Sequence, residues 1–249
     1  MRFTECTIQE KAAVVRLSRG KVNALTGEVV RELRDAMDGL LGDESVKAVI
    51  LIGKGKFFSY GFDIPEFLNY SRLQFQDYLT LFTDFYRYLY LYPKPVIAAL
   101  NGHTIAGGCM MAICCDLRIM VSGRARIALN EIQFGSSVFA GSVEVLRALI
   151  GQRNAETFLY GGEMHSAEDA LALGLIDKIS SDADLEKDMF AAAAAYAEKD
   201  AAAFAGIKGL LRKTVAEKMR RRERESISDF LDIWYSEKTW ARLREKTTA

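Results

Sequence analysis

The 249-residue chain is short of proline, cysteine and histidine, with three, four and two residues respectively. Four cysteines are too few for a disulfide framework. Cys114 and Cys115 are adjacent, and Cys109 and Cys114 lack the spacing of a zinc ribbon or a thioredoxin-like motif. They read as small buried hydrophobes in a reducing compartment. The two histidines, His103 and His165, have no carboxylate cluster between them, so no metal site is expected. No G-x-S-x-G elbow accompanies either, which leaves a hydrolase triad unsupported. Net charge is also missing: 33 Lys and Arg face 33 Asp and Glu. A general nucleic-acid binder needs a basic excess to displace phosphate counterions, and a polybasic membrane-surface protein needs one too. No apolar run approaches the roughly 20 residues of a membrane helix. The N-terminal MRFTECTIQEK has acids and no apolar core, unlike a secretory signal. A cytoplasmic protein with no nucleic-acid or membrane partner is therefore expected.

What is present is ordinary for a soluble globular protein: 50% hydrophobic and 27% charged residues. The length fits one large domain or a domain with a helical appendage. Ala12–Leu17 and Val46–Ile52 read as strands, the latter with β-branched bias. Between them a helix follows Thr26, a candidate N-cap, with Val30, Leu33, Met37, Leu40 and Leu41 at helical spacing. The aromatic stretch Arg72–Tyr92 carries Phe75, Tyr78, Phe82, Phe85 and Leu89 at the same period, a packed helix rather than a ligand cage. Pro93 and Pro95 stop it and lead into strand Val96–Leu100. A glycine turn, a short helix and strand Asp116–Val121 follow. Strand–helix alternation implies an α/β fold with parallel strands. From about Asp184 the composition turns to Ala, Lys, Arg and Glu, with helices and no strand candidate. Phe190, Tyr196, Phe204, Leu210, Leu211, Phe230, Leu231 and Trp234 in this tail need surfaces to bury against.

Three segments carry candidate chemistry. Gly53–Phe67 (GKGKFFSYGFDIPEF) is a glycine-rich loop after a strand. It is neither a Walker A loop nor a G-x-G-x-x-G fingerprint. Asp63 in it is a helix-start carboxylate, and Glu66 is a reserve acid or base. Asn101–Met120 places Ala106, Gly107 and Gly108 before an apolar helix, where free backbone N–H groups can meet a developing enolate oxygen. Arg126–Gly135 sets Glu131 among Ile127, Ala128, Leu129, Ile132 and Phe134. In an apolar pocket its pKa rises, which suits proton exchange near neutral pH; on the surface it would be an ordinary carboxylate.

These segments, together with Val22-Asn23-Ala24-Leu25 and Gly161–Asp177 (GGEMHSAEDALALGLID), resemble the crotonase superfamily, the enoyl-CoA hydratase/isomerase family. The order and spacing of the segments carry the resemblance over most of the chain. It implies a spiral of β-β-α turns over residues 1–190 and a C-terminal helical region, 191–249, that forms a homotrimer or a hexamer built as a dimer of trimers. It implies an acyl-CoA thioester substrate and no separate cofactor, coenzyme A being part of the substrate. The thioester oxygen would lie between the backbone N–H groups of Phe62 and Gly107, with Val22, Ala24, Tyr60, Gly61, Asp63, Ile64, Gly108 and Met110 along the substrate. Phe62 departs from the small residue often found there, but a backbone donor tolerates any side chain except proline.

Hydratases of the family use two glutamates to position and activate water. The second matches Glu131; the first matches Met110, which cannot act as a base. One carboxylate still suffices to carry a proton from C2 to C4, as in the Δ3,Δ2-enoyl-CoA isomerases, which Ala106–Cys109 and Leu129-Asn130-Glu131 followed by Gln133 also resemble. The loop Gly135–Gly141 (GSSVFAG) has no carboxylate, unlike dienoyl-CoA isomerases. An enoyl-CoA isomerase is thus expected, with a hydratase, a decarboxylase or a non-catalytic acyl-CoA-binding subunit as alternatives. Lys208, Arg212, Lys213, Lys218, Arg220, Arg221, Arg222 and Arg224 make the tail locally basic. They are a solvated helix face or, for some, partners of the CoA phosphates.

Overall fold

The computed structural model describes residues 1–248, with side chains described through Glu245; Ala249, the end of the expected C-terminal region, lies outside the described residues. The chain opens with an antiparallel pair, β1 (Thr4–Gln9) and β2 (Ala12–Leu17), and helix α1 (Gly27–Gly42). Three β-β-α turns follow. The first is β3 (Ala48–Gly53), β4 (Phe57–Ser59), α2 (Ile64–Phe67) and α3 (Arg72–Leu91). The second is β5 (Val96–Leu100), β6 (His103–Ile105) and α4 (Gly107–Cys114). The third is β7 (Leu117–Val121), β8 (Ile127–Ala128), a 3-10 turn Glu131–Phe134 and α5 (Ala140–Gly161). Then come α6 (Ala167–Ala172), β9 (Lys178–Ser180), α7 (Leu185–Ala197), α8 (Ala201–Trp234) and α9 (Glu237–Thr248).

The long strands make one sheet in the order β1-β2-β3-β5-β7-β9, parallel except for the first pair. The short strands make a second, parallel sheet, β4-β6-β8. Each turn thus adds one strand to each sheet, which is the expected crotonase-type α/β spiral. Every residue of β3 and β5 is buried, as a parallel strand covered on both faces requires. The short second strands, of two or three residues, are too brief to show a period in sequence. β1 was equally hidden: only Thr4 of its six residues is buried, and pairing with β2 makes it a strand. Cys6 on β1 is exposed, unlike the other three cysteines.

Two glycines set the corners of the spiral. A Cβ on Gly53 would lie 2.0 Å from the Phe57 carbonyl oxygen, and one on Gly102 would lie 2.0 Å from that of Lys56. Asn101 braces this corner by accepting from Gly53 N–H (2.9 Å) and donating to Gly55 O (2.9 Å).

The helices behave largely as the sequence periods require. Thr26 caps α1, whose core-facing side includes Val30, Leu33, Met37 and Leu40, while Leu41 is 41% exposed. Ser71 and Gln74 form a capping box at α3, and its whole aromatic stripe is buried. The expected division at residue 190 falls inside α7, which packs on β2, β3, β5 and β7. Helix α8 has 34 residues, about 51 Å, and lies across α3 and α5. It buries Phe230, Leu231 and Trp234 against the same chain. Leu210 and Leu211 remain 85% and 73% exposed, with no cover from their own chain.

Candidate active site

The first site loop is zipped to the segment before α1. Tyr60 N–H donates to Val22 O (2.9 Å), Leu25 N–H to Gly61 O (2.7 Å) and Asp63 N–H to Leu25 O (3.2 Å). Asn23, fully buried at φ +51°, donates through Nδ2 to Phe57 O (2.9 Å) and Lys54 O (3.1 Å). Loop one then touches loop two. A Cβ on Gly61 would lie 2.9 Å from Gly107 N, Ile105 O and Ala106 Cβ, and one on Gly108 would lie 2.4 Å from Ser59 O. Glycine at these positions lets the two loops press backbone to backbone.

Between them the backbone is strained. Ala106 sits at φ +49°, ψ −120°, a region costing a non-glycine residue about 1–3 kcal/mol. Ala106 N–H donates to Ala128 O (2.9 Å), and Ala106 O accepts from Met110 N–H (2.9 Å), so β8 and α4 hold the strained residue from both sides. Gly107 follows as the first residue of α4. Among the described residues, neither Phe62 N–H nor Gly107 N–H donates a hydrogen bond within the chain.

These loops border a cavity of about 550 Å3. Of the expected site residues, Val22, Ala24, Tyr60 and Phe62 line it, as do Asp63, Ile64, Met110 and Glu131. Gly61, Gly107 and Gly108 do not; they pack the loops behind Ala106, which does. The Phe62 ring points into the aromatic stripe, edge-on to Phe82 (4.9 Å), Tyr78 (5.1 Å) and Phe67 (5.9 Å). This packing accommodates the unusual side chain while its backbone stays in the loop.

The two carboxylates on the cavity wall differ. Asp63 Oδ2 accepts from Arg19 at 2.6 Å, and Asp63 Oδ1 caps α2 through Glu66 N–H (3.1 Å). Its expected helix-start role is what the geometry displays. Glu131 is 6% exposed, and its Oε2 has no hydrogen-bond partner. Burial pushes its carboxyl from 4.5 up to about 8, opposed only by its own backbone N–H. Burial, and secondarily the nearby Glu131, also pushes the Cys109 thiol well above its usual range. Glu66 does not reach this cavity. Tyr70 OH donates to it (2.7 Å), Arg19 lies at 3.5 Å, and it faces a separate cleft beside α1.

Several lining residues escaped sequence reasoning. Phe139, at the N-cap of α5, Phe230 and Trp234 on α8, and Leu243 on α9 make one wall apolar. Phe230 and Trp234 stand one helical turn apart, a spacing that marks a buried face but not what it covers. Arg19 is also on the wall. The histidines lie elsewhere: His103 packs on Phe57 (5.1 Å), and His165 stacks on Phe158 (5.0 Å). Among the described residues no group of three or more metal-ligating side chains gathers.

The basic tail is partly spoken for. Lys208 pairs with Asp116 (2.6 Å), Arg212 with Asp116 (3.0 Å), and Arg222 with Glu144 (2.5 Å). None of the eight basic residues lines the cavity. Lys208 and Arg212 hold α8 to the sheet, so a role on an anionic ligand does not fit them.

The chain matches the family model described as enoyl-CoA hydratase/isomerase over residues 7–240. It is 34% identical to a crotonyl-CoA hydratase of Syntrophomonas wolfei over 69% of this chain and 66% of that protein. It is 37% identical to a putative enoyl-CoA hydratase of Thermus thermophilus over 64% of this chain and 63% of that one. Both alignments span just under two thirds of the relative's length. Human mitochondrial delta3-delta2-enoyl-CoA isomerase superposes with a TM-score of 0.94 at 25% identity, covering 99% of this chain and 97% of that one. An enoyl-CoA hydratase from Bacillus halodurans superposes with a TM-score of 0.90 at 25% identity, covering 98% and 99%. Among the described residues no helix is long and apolar enough to cross a membrane.

Proposed function

The chain belongs to the enoyl-CoA hydratase/isomerase family, and we propose that it shifts a double bond from C3 to C2 of an enoyl-CoA. The observation that carries this reading is the carboxylate count in the cavity: Glu131 alone is unpaired, and Met110 stands where a hydratase has its other glutamate. Glu131 takes a proton from C2. Charge moves onto the thioester oxygen, facing the N–H groups of Phe62 and Gly107. The protonated Glu131 returns the proton at C4, giving the conjugated 2-enoyl thioester. Val22, Ala24, Tyr60, Asp63 and Ile64 border the bound thioester, with Gly61 and Gly108 holding the loops together. No separate cofactor takes part. Two unpaired donors are the form an oxyanion site takes, and one such donor is worth about 2.7–4 kcal/mol.

The exposed Ile207, Leu210 and Leu211 on α8 are the surface through which copies assemble, as trimers or as pairs of trimers. Light scattering on the purified protein reads this directly; a monomer would remove the assembly part of the proposal.

The curated relatives quoted above are named hydratases, which favours hydration of a 2-enoyl-CoA as the second reading. One assay separates the two. Purified protein is given 3-hexenoyl-CoA and crotonyl-CoA while absorbance follows the conjugated thioester. Rapid conjugation of the first without loss of the second is expected. Fast hydration of crotonyl-CoA sinks the isomerase reading.

A further inference from the structure

Behind Glu131 lies a second cavity, of about 360 Å3, that the reaction above does not use. Its rim is exposed Arg147, Gln152 and Tyr160; its floor is buried Leu129, Glu131 and Ser136. Glu131 and Ser136 line both this cavity and the 550 Å3 one, so they form the partition between the two. Both carry a buried oxygen with no partner, Oε2 of Glu131 and Oγ of Ser136. The two are tied at the backbone, Ser136 N–H donating to Glu131 O (3.0 Å).

We propose that this rear cavity is a water-filled proton route that connects Glu131 to solvent without passing the substrate. The inference rests on Glu131 being the base. A cavity of this size greatly exceeds the roughly 10–15 Å3 that one water needs, and a buried water needs two to four polar partners. Ser136, Ser137, Arg147, Gln152 and Glu156 supply them. The rest of the rear lining is apolar, including Leu129, Val138, Val143 and Leu159, so the polar groups gather the water along one side, between the exposed rim and Glu131. The chemical step is a simple exchange. After C2–H is broken, Glu131 carries that proton as a carboxylic acid. The acid passes the proton to rear-cavity water and receives one back, with no change in bonds or charge. The route sets how much of the C2 proton reaches C4 before solvent replaces it.

The test is isomerisation of 3-hexenoyl-CoA in D2O, with product deuterium counted by mass spectrometry. Val143 and Ser137 line only the rear cavity, so Val143→Phe and Ser137→Phe are independent plugs outside the substrate site. Wild-type product should carry deuterium. Either folded plug variant should lower deuterium per product several-fold while turnover stays close to wild type. Wild-type product without deuterium, or plug variants that incorporate as much as wild type, overturns the proposal. Should the protein not isomerise, the function proposed above is wrong, and the rear route is read instead from C2 deuterium exchange into butyryl-CoA. Several-fold slower exchange in both plugs supports it there, and equal exchange overturns it.

Discussion

Two carboxylates largely shielded from solvent sit in the same domain under opposite rules. Asp116, just before β7, is saturated: Oδ2 accepts from Lys208 (2.6 Å) and Val96 N–H (2.8 Å), and Oδ1 lies 3.0 Å from Arg212. Burial pulls the Lys208 ammonium below its usual range, and Asp116 opposes that pull. Glu131, in the partition between two cavities, has burial without a cation and an oxygen without a partner. Burial costs a charge several kcal/mol unless pairing offsets it. At Asp116 the fold supplies the pairing and gains a latch for α8. At Glu131 it withholds the pairing and keeps a group that exchanges protons near neutral pH. The same residue class is structural in one place and, in the proposed reaction, chemical in the other, and the partners decide which.

The largest effects should come from breaking each side of this contrast. Glu131→Gln keeps the volume and removes the base. Turnover of a 3-enoyl-CoA should fall by about 10²–10⁴, the span of a general base. Binding of an unreactive acyl-CoA, measured by calorimetry, should change little. Near-normal turnover would show that Glu131 is not the shuttle.

Asp116→Ala does the reverse. It leaves buried Lys208 and half-buried Arg212 without their anion, which should cost about 3–5 kcal/mol of stability. Urea unfolding should show the loss, while activity per folded molecule stays near wild type. A variant that keeps its stability would mean that the latch does not hold α8.

The contrast also predicts opposite stability signs. A carboxyl raised from 4.5 to about 8 on folding costs nothing below pH 4.5, where both folded and unfolded forms are protonated. The cost grows as pH rises from 4.5 towards 8, because the unfolded state ionises first. At pH 7 it amounts to about 3 kcal/mol. Glu131→Gln should therefore stabilise the protein at pH 7–8 and do little at pH 4.5, whereas Asp116→Ala destabilises at neutral pH. Equal melting temperatures of wild type and Glu131→Gln at pH 8 would mean that Glu131 finds a partner in solution. For the same reason kcat/KM should rise with pH through about 8 as Glu131 ionises.

Legibility in sequence followed the range over which each feature is determined. α1, α3 and strand Val96–Leu100 have periods, caps or prolines that act within a few residues. Asp63 announced itself as a cap for the same reason. Glu131 was visible through its apolar neighbours, but its missing partner was not, since that depends on what every other element fails to bring. Lys208 and Arg212 looked like free cations because Asp116, some 92–96 positions earlier, is a long-range partner. Phe230 and Trp234 showed only a helical spacing; that they close a cavity follows from α8 folding back over α3 and α5. Glu66 read as a candidate because it neighbours the loop, and the Tyr70 hydroxyl then turns it away.

Arg19 tests the middle of the contrast, a pair only partly buried but set in the site wall. Its guanidinium reaches Asp63 (2.6 Å), Ala24 O (3.4 Å) and Glu66 (3.5 Å), and its own N–H donates to Asn23 Oδ1 (3.1 Å). It thus ties the segment before α1 to the loop that carries Phe62, without touching the reacting atoms. The side chains of Arg19 and Asp63 are 23% and 17% exposed, so the pair should add modestly to stability. Its effect on the reaction should be larger than its effect on folding, because a small misplacement of a donor weakens the transition state disproportionately. Arg19→Met should lower kcat about tenfold, or about 1.4 kcal/mol, with a smaller change in KM. Arg19→Lys should recover part of kcat, since a cation beside Asp63 is restored without the forked geometry. A loss of stability at unchanged kcat would place Arg19 with Asp116 as a purely structural partner.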